Sequence, residues 1–305
     1  MLPSWYSHHM RRTVIITLVS LLFLSCSRDT TIVVGAKAFT EGYILGHMAA
    51  MVLEDAGYDV EEQFGLATTA MRSALETGQV DLYYEYTGTA YTVYAKGEDK
   101  GVMTDSALVL DAVRRFDREK HDLTWLQPMP FNDTYALLMR RGEASKLGLR
   151  SISDLAAAIR SGGEIRLAVD AEFYERPDGL KALLKRYDVP EQGITKLDAG
   201  LIYTALTEGK IDVGMGYSTD GQIPAFDLTM LEDDRAFFPA YNPAAVVRTS
   251  LLRANPGVQT LLERLNRFIT PEAIRKLNAD VSMNHRDPRK VAERFLRENS
   301  VLTKK

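Results

Sequence analysis

The chain has 305 residues, 46% hydrophobic and 26% charged, and a formal charge of −4. This size and apolar content suit about two packed domains and exclude a disulfide-stapled miniprotein and a mainly disordered chain. The slightly acidic balance also argues against nucleic acid as a partner, because such binders carry a basic stripe.

At the N-terminus, Arg11 and Arg12 precede an uncharged run, TVIITLVSLLFLS, that stops at Cys26, the only cysteine. The run is shorter than the roughly 20 residues a bilayer span needs, and a basic flank before a short apolar stretch predicts a secretory signal over residues 1–25. Cys26 after Leu24-Ser25 resembles a bacterial lipobox, whose cysteine becomes the acylated first residue of the mature protein; Phe23 stands where leucine is usual. The expectation is an exported, lipid-anchored protein in the periplasm or on the outer face of the cell membrane. More than one acyl chain would hold it there stably. A lone cysteine leaves no internal disulfide.

From Thr30 onward, short β-branched runs alternate with helical periodicity. TTIVVG predicts a buried strand, and Thr40 is expected to cap a helix whose apolar positions Ile44, Leu45, Met48, Met51 and Val52 recur until Gly57. A strand-like run ending in Phe64 precedes a helix near residues 69–77. Strands alternating with helices predict an α/β fold with parallel sheets. From about Pro256 the pattern is helical only, with Thr270-Pro271-Glu272 as a cap and first turn.

An internal echo organises the middle of the chain. ALETGQVDLYYEYT, residues 74–87, aligns without gaps on ALTEGKIDVGMGYS, residues 205–218. Each copy reads as a helix ended by glycine, a short buried strand and a tyrosine at that strand's C-terminal end; the alternative is coincidence between two ordinary helix-Gly-strand units. Ligands of open α/β sheets sit outside the carboxyl ends of strands, which places Tyr86 and Tyr217 where two lobes could each present a ring. Lys37 and Arg176 follow two further strands, IVV and IRLAV. Asp81 and Asp212 fall at equivalent positions and are expected to serve the fold.

Catalytic signals are thin. His47, His121 and His285 lack metal-ligand spacing, GYSTDG is not a nucleophile elbow, and GMGYST fails the phosphate-loop pattern at its last position. No enzyme activity, metal or cofactor is expected. Tyrosines are dense between Tyr83 and Tyr94, and Tyr135, Tyr217 and Tyr241 stand at turn-like places, which favours exposed, rigid rings. Facing rings form a cage for a cation that cannot donate hydrogen bonds, each contact contributing about 0.5 to 2 kcal/mol. Lys37 and Arg176 would complement an anionic group on the same ligand.

GAKAFTEGYILGHM, YYEYTGTAYT, FNDTYALLMR, YERPDGL, GYSTDG and FFPAYNPAAVVR, in this order from about residue 31 to near the end, resemble the substrate-binding proteins of glycine betaine, carnitine and choline ATP-binding-cassette transporters. The resemblance implies a two-lobed periplasmic-binding-protein fold of type II, with two crossover strands and a ligand cleft between lobes. Lobe 1 would take residues 31–133 with 238–305, and lobe 2 residues 134–237. It implies a cation cage of Tyr86, Tyr135, Tyr217 and Tyr241, carboxylate contacts from Lys37, Thr89 and Arg176, and a minor contact near Asp133. Ala38 departs from the family, where Asn is frequent, and Ala67-Thr68 replaces a glycine-rich turn. The implied partners are a small quaternary ammonium solute, glycine betaine first, and an ABC permease with its ATPase subunit; the implied state is a monomer. Choline, carnitine or a polyamine on the same scaffold is the nearest alternative. A surface-anchored hydrolase using Asp81, Glu85 or a histidine, or a structural lipoprotein, is more distant.

Overall fold

The structure, a computed structural model, describes residues 31–303. Ten strands form two five-stranded mixed sheets. The first holds β1 (Ile32–Lys37), β2 (Val60–Leu66), β3 (Leu82–Tyr86), β4 (Leu123–Trp125) and β10 (Pro243–Arg248), in the order β2-β1-β3-β10-β4. The second holds β5 (Tyr135–Arg140), β6 (Leu167–Val169), β7 (Ile194–Lys196), β8 (Val213–Tyr217) and β9 (Leu228–Met230), in the order β7-β6-β8-β5-β9. The two orders correspond strand for strand. In each sheet the first three strands are parallel and the fourth runs antiparallel to its neighbours.

The echo seen in the sequence is a structural repeat. Helices Thr68–Thr77 and Ala199–Thr207 precede β3 and β8, and both end near a glycine with positive φ, Gly78 at 78° and Gly209 at 71°. Left-handed backbone at that point is cheap only for a residue without Cβ. Asp81 stands just before β3, outside it, and accepts the Val33 N–H at 2.9 Å; Asp212 accepts the Arg166 N–H at 2.9 Å. Each aspartate also meets an arginine that ends an antiparallel strand, Arg248 for Asp81 and Arg140 for Asp212. Past the strands, Thr87 donates to Ala240 O and accepts from Asn242 N, while Ser218 donates to Asn132 O and accepts from Thr134 N. These polar groups tie equivalent strand ends together, as expected of fold-serving aspartates.

Burial follows the layers. Every residue of β3 is buried, with Leu82 and Tyr84 facing one core and Tyr83 the other. The first core lies under α1 (Thr40–Asp55) and the C-terminal helices Gly257–Asn266, Pro271–Ser282 and Pro288–Glu298. Those three helices form as predicted, and Thr270 accepts the Ala273 N–H as their middle cap. Thr40 differs from expectation: it is the first residue of α1, and Phe39 occupies the cap position without a side-chain cap. A third core packs on the second sheet and reaches across to Tyr86 and Tyr241. The chain passes between the sheets twice, and the passing segments run side by side, with Leu126, Met129 and Asp133 donating to Ala245, Pro243 and Tyr241.

Candidate functional site

The carboxyl ends of β1, β3 and β8 converge on one cavity of about 170 Å³. Its lining includes Lys37, Thr89, Arg176, Tyr86, Tyr135, Tyr217, Tyr241 and Asp133, so every ligand contact expected from the sequence meets in one place. Ala38, Ala67 and Thr68, the local departures from the family, also border it.

Strand register explains the convergence. Tyr86 ends β3, Tyr217 ends β8 directly opposite Tyr135 at the start of β5, and Lys37 ends β1. Tyr241 arrives on the returning segment, and its ring lies against Gly88, where a Cβ would come within 2.6 Å of the ring. The rings of Tyr135 and Tyr217 are 5.2 Å apart, and Tyr241 meets Tyr135 edge-on at 5.7 Å. Phe39, which the sequence analysis left unassigned, stands 5.8 Å from both Tyr86 and Tyr217 and bridges the two sheets' tyrosines. Its position two residues after Lys37, within GAKAFTE, was the available signal.

The rings are not exposed, contrary to the expectation from their turn-like positions. Tyr86, Tyr135 and Tyr241 are buried and Tyr217 is half-buried. The turns lie at sheet ends that face each other, so each ring is covered by groups of the opposite sheet.

Charge in the site is largely compensated. Lys37 Nζ sits 2.7 Å from Glu85 Oε1, and the same carboxylate accepts the hydroxyls of Tyr83 and Tyr94 at 2.7 and 3.0 Å. Burial pushes the Glu85 carboxyl up, but the Lys37 ammonium and these hydrogen bonds outweigh it and hold the group below its usual range. Arg176 forms a fork on Asp178, at 2.8 Å from Nε and 2.6 Å from Nη2, and its Nη2 also donates to Thr89 at 3.1 Å. Asp178 further accepts the hydroxyls of Tyr241 and Thr92. The ammonium of Lys37 lies 4.7 Å from the Tyr86 ring centre, and the Arg176 guanidinium 5.5 Å from that of Tyr135. Sequence reasoning found the cations, named Glu85 only as a candidate acid of a hydrolase and missed Asp178, although both acids lie inside quoted motifs.

Glu85 is therefore one half of a buried ion pair, and Asp81 is bound into the strand frame, so they do not form an acid-base pair. Among the described residues, no cluster of three or more His, Cys, Asp or Glu is placed to hold a metal. The signal segment 1–25 and Cys26 lie outside the described residues.

Two mixed sheets connected by two passes, with an aromatic cavity at the facing strand ends, define a type II periplasmic binding protein. The family described as "Substrate binding domain of ABC-type glycine betaine transport system" matches residues 30–298, and the chain belongs to it. It is 37% identical to a glycine-betaine-binding protein of Pseudomonas aeruginosa, over 95% of each chain. It is 35% identical to the carnitine transport binding protein OpuCC of Listeria monocytogenes, covering 94% of this chain and 95% of that one. A crystal structure titled glycine betaine/carnitine/choline ABC transporter superposes with a TM-score of 0.74 at 29% identity, covering 89% of this chain and all of the other. The expected fold and family are thus both found, and the chain is the solute-binding component of an ABC transport system.

Proposed function

We propose that the cavity binds glycine betaine, with the trimethylammonium among Tyr86, Tyr135, Tyr217 and Tyr241 and the carboxylate toward Lys37, Thr89 and Arg176. The observation that carries this reading is the meeting of all seven side chains on one cavity of about 170 Å³. A quaternary ammonium offers no hydrogen bond, so ring faces and dispersion are its natural partners, while Lys and Arg suit a carboxylate. Phe39 adds a ring to the same wall.

The lobes are taken as residues 31–133 with 238–305, and 134–237. A ligand touching both favours the closed arrangement, as in hinge closure of binding proteins. The closed surface is then read by a membrane permease, while acylated Cys26 holds the exported monomer close to it.

Calorimetric titration of the protein with glycine betaine, choline and dimethylglycine tests this. Saturable one-to-one binding of glycine betaine, weaker for dimethylglycine, is expected, together with compaction in solution scattering. No binding of any quaternary amine refutes the reading.

A second reading, choline as ligand, is favoured by one observation. Both cations meant for the carboxylate already face buried acids, Lys37 with Glu85 and Arg176 with Asp178. Preference for choline over glycine betaine, with glycine betaine binding indifferent to Arg176→Ala, would establish it.

A further inference from the structure

Beside the cavity lie three buried polar side chains that none of the ligand contacts above uses, Glu41, Thr219 and Asn278, joined to the cavity residues Asp133 and Tyr86. The Thr219 hydroxyl is 2.8 Å from Glu41 Oε2 and 2.7 Å from Asp133 Oδ1. Both are hydrogen-bond distances, yet a hydroxyl carries one proton and serves one of these oxygens only. Asn278 Nδ2 donates to Glu41 Oε2 at 3.1 Å and to Thr219 O at 3.2 Å, and the Tyr86 hydroxyl donates to Glu41 Oε1 at 2.7 Å. With both carboxyls ionised, one contact between two oxygen lone pairs is left without a proton in a buried place, which is strongly unfavourable.

The missing proton has a preferred seat. Glu41 is surrounded by three donors, Tyr86, Asn278 and Thr219, which favour its ionised form. Among the described residues, Asp133 has the shared hydroxyl and the Thr219 backbone N–H only. A chain of single protons then closes the group: Asp133 Oδ1–H donates to Thr219 Oγ1, Thr219 donates to Glu41, and Glu41 stays an anion.

The group joins the two sheets. Glu41 is on α1 and Asn278 on the C-terminal helix Pro271–Ser282, both packed on the first sheet, whereas Thr219 follows β8 of the second. Asp133 stays beside Thr219, because Thr134 and Ser218 exchange hydrogen bonds on that side. Separating the sheets frees the Thr219 hydroxyl for Asp133 alone and lets both carboxyls reach water and ionise.

We propose that Asp133 is a neutral carboxylic acid whenever Glu41 and Thr219 are in contact, and that closure of the cleft takes up one proton from solvent. The inference rests on the proposed binding function through its closure step. Other charged and titratable groups facing the group are Asp220 beyond Thr219, Tyr203 on helix Ala199–Thr207, which donates to Asp220 at 2.6 Å, Tyr86 on β3, and the Lys37–Glu85 pair behind Tyr86. Burial, then the negative charges of Glu41 and Asp220, push the Asp133 carboxyl well above its usual range, in the same direction as the proton count; burial raises Glu41 too, opposed there by the hydrogen bonds from Tyr86, Asn278 and Thr219.

The sign follows from linkage. The closed form binds the extra proton, so ligand affinity falls as pH rises between the ordinary carboxylate range of the open form and the raised value of the closed form. Within that window the fall approaches tenfold per pH unit, and it flattens on either side.

The test is calorimetric titration of the full-length protein with glycine betaine and choline at pH 7, in phosphate and in Tris, whose ionisation enthalpies differ. Uptake of about one proton per ligand is expected. Asp133→Asn, whose amide donates to Thr219 without a proton from solvent, should bring uptake near zero. Binding without proton uptake in the wild type, or unchanged uptake in Asp133→Asn, overturns the proposal. If neither amine binds, the functional reading and its closure step fail instead; the Glu41–Thr219 contact then belongs to the protein without ligand, and the proton is countable by infrared spectroscopy. The carbonyl stretch of a neutral carboxyl, lost in Asp133→Asn, is then expected at pH 7; its absence in the wild type sinks the proposal.

Discussion

At equivalent points of the two central strands, β3 carries Tyr83-Tyr84-Glu85-Tyr86 and β8 carries Gly214-Met215-Gly216-Tyr217. The frame around them is shared: a glycine that ends a helix, an aspartate bound to a neighbouring strand, and a hydroxyl that ties the strand end. In the first sheet the space beside the strand is filled by large side chains and a buried ion pair. In the second it is filled by a helix, because a Cβ on Gly214 would lie 2.6 Å from Ile202 and 2.8 Å from Leu206. The closer helix brings Tyr203 to Asp220, which occupies the position matched by Thr89 in the first copy. One topology thus supports two different chemistries at its strand ends, and only the last tyrosine is common to both.

The largest expected effect tests the charged half of this contrast. Glu85→Ala leaves Lys37 as an unpaired buried ammonium and strips an acceptor from Tyr83 and Tyr94, so it should cost about 3 to 5 kcal/mol in urea unfolding. If the double variant Lys37→Met, Glu85→Leu is as unstable as Glu85→Ala, the pairing is not the cause.

Asp220 supplies a pH signature on the second sheet only. Burial raises its carboxyl to about 6 despite hydrogen bonds from Tyr203 and the Tyr217 N–H. A raised carboxyl favours the folded state in its protonated form, so the stability of the wild type relative to Asp220→Asn should fall as pH rises from about 4 to about 6, then level off. The total change is at most about 3 kcal/mol. A flat difference across that range would show that Asp220 is ionised in the folded protein.

Packing on the glycine half is expected to be next. Gly214→Val forces the helix away from β8 and should cost about 1 to 3 kcal/mol, read as a lower melting temperature. The shared frame gives the smallest effect and the sharpest comparison. Asp81→Ala and Asp212→Ala should each lose about 1 to 2 kcal/mol, nearly equal to one another, since each removes a backbone acceptor and an arginine at the end of an antiparallel strand, while the further pair of Asp212 with the exposed Arg166 side chain adds little. A loss confined to one of them would break the equivalence of the two frames.

Much of the fold was legible because it is written in local pattern. The repeat of helix, glycine, aspartate and strand could be aligned by eye, and the Thr270-Pro271 cap follows from a single residue's hydrogen bond. The Thr40 cap failed because the extended backbone of the cap position falls on Phe39, whose ring lies beside Tyr86 and Tyr217, both distant in sequence. The predicted cavity residues do converge, yet their burial was misjudged: turn propensity reports local backbone and carries no information about the opposite sheet.

What the sequence determined by itself was the order of elements, their internal repeat and the residue types at strand ends, because periodicity, caps and glycine positions act over a few residues. Tertiary structure alone decided which charges are left to act. Glu85 reaches Lys37 across 48 residues, and Thr219 reaches Glu41 across 178. Desolvation makes such contacts decisive, since a buried charge must find a partner or a proton, and only the assembled fold brings one within reach.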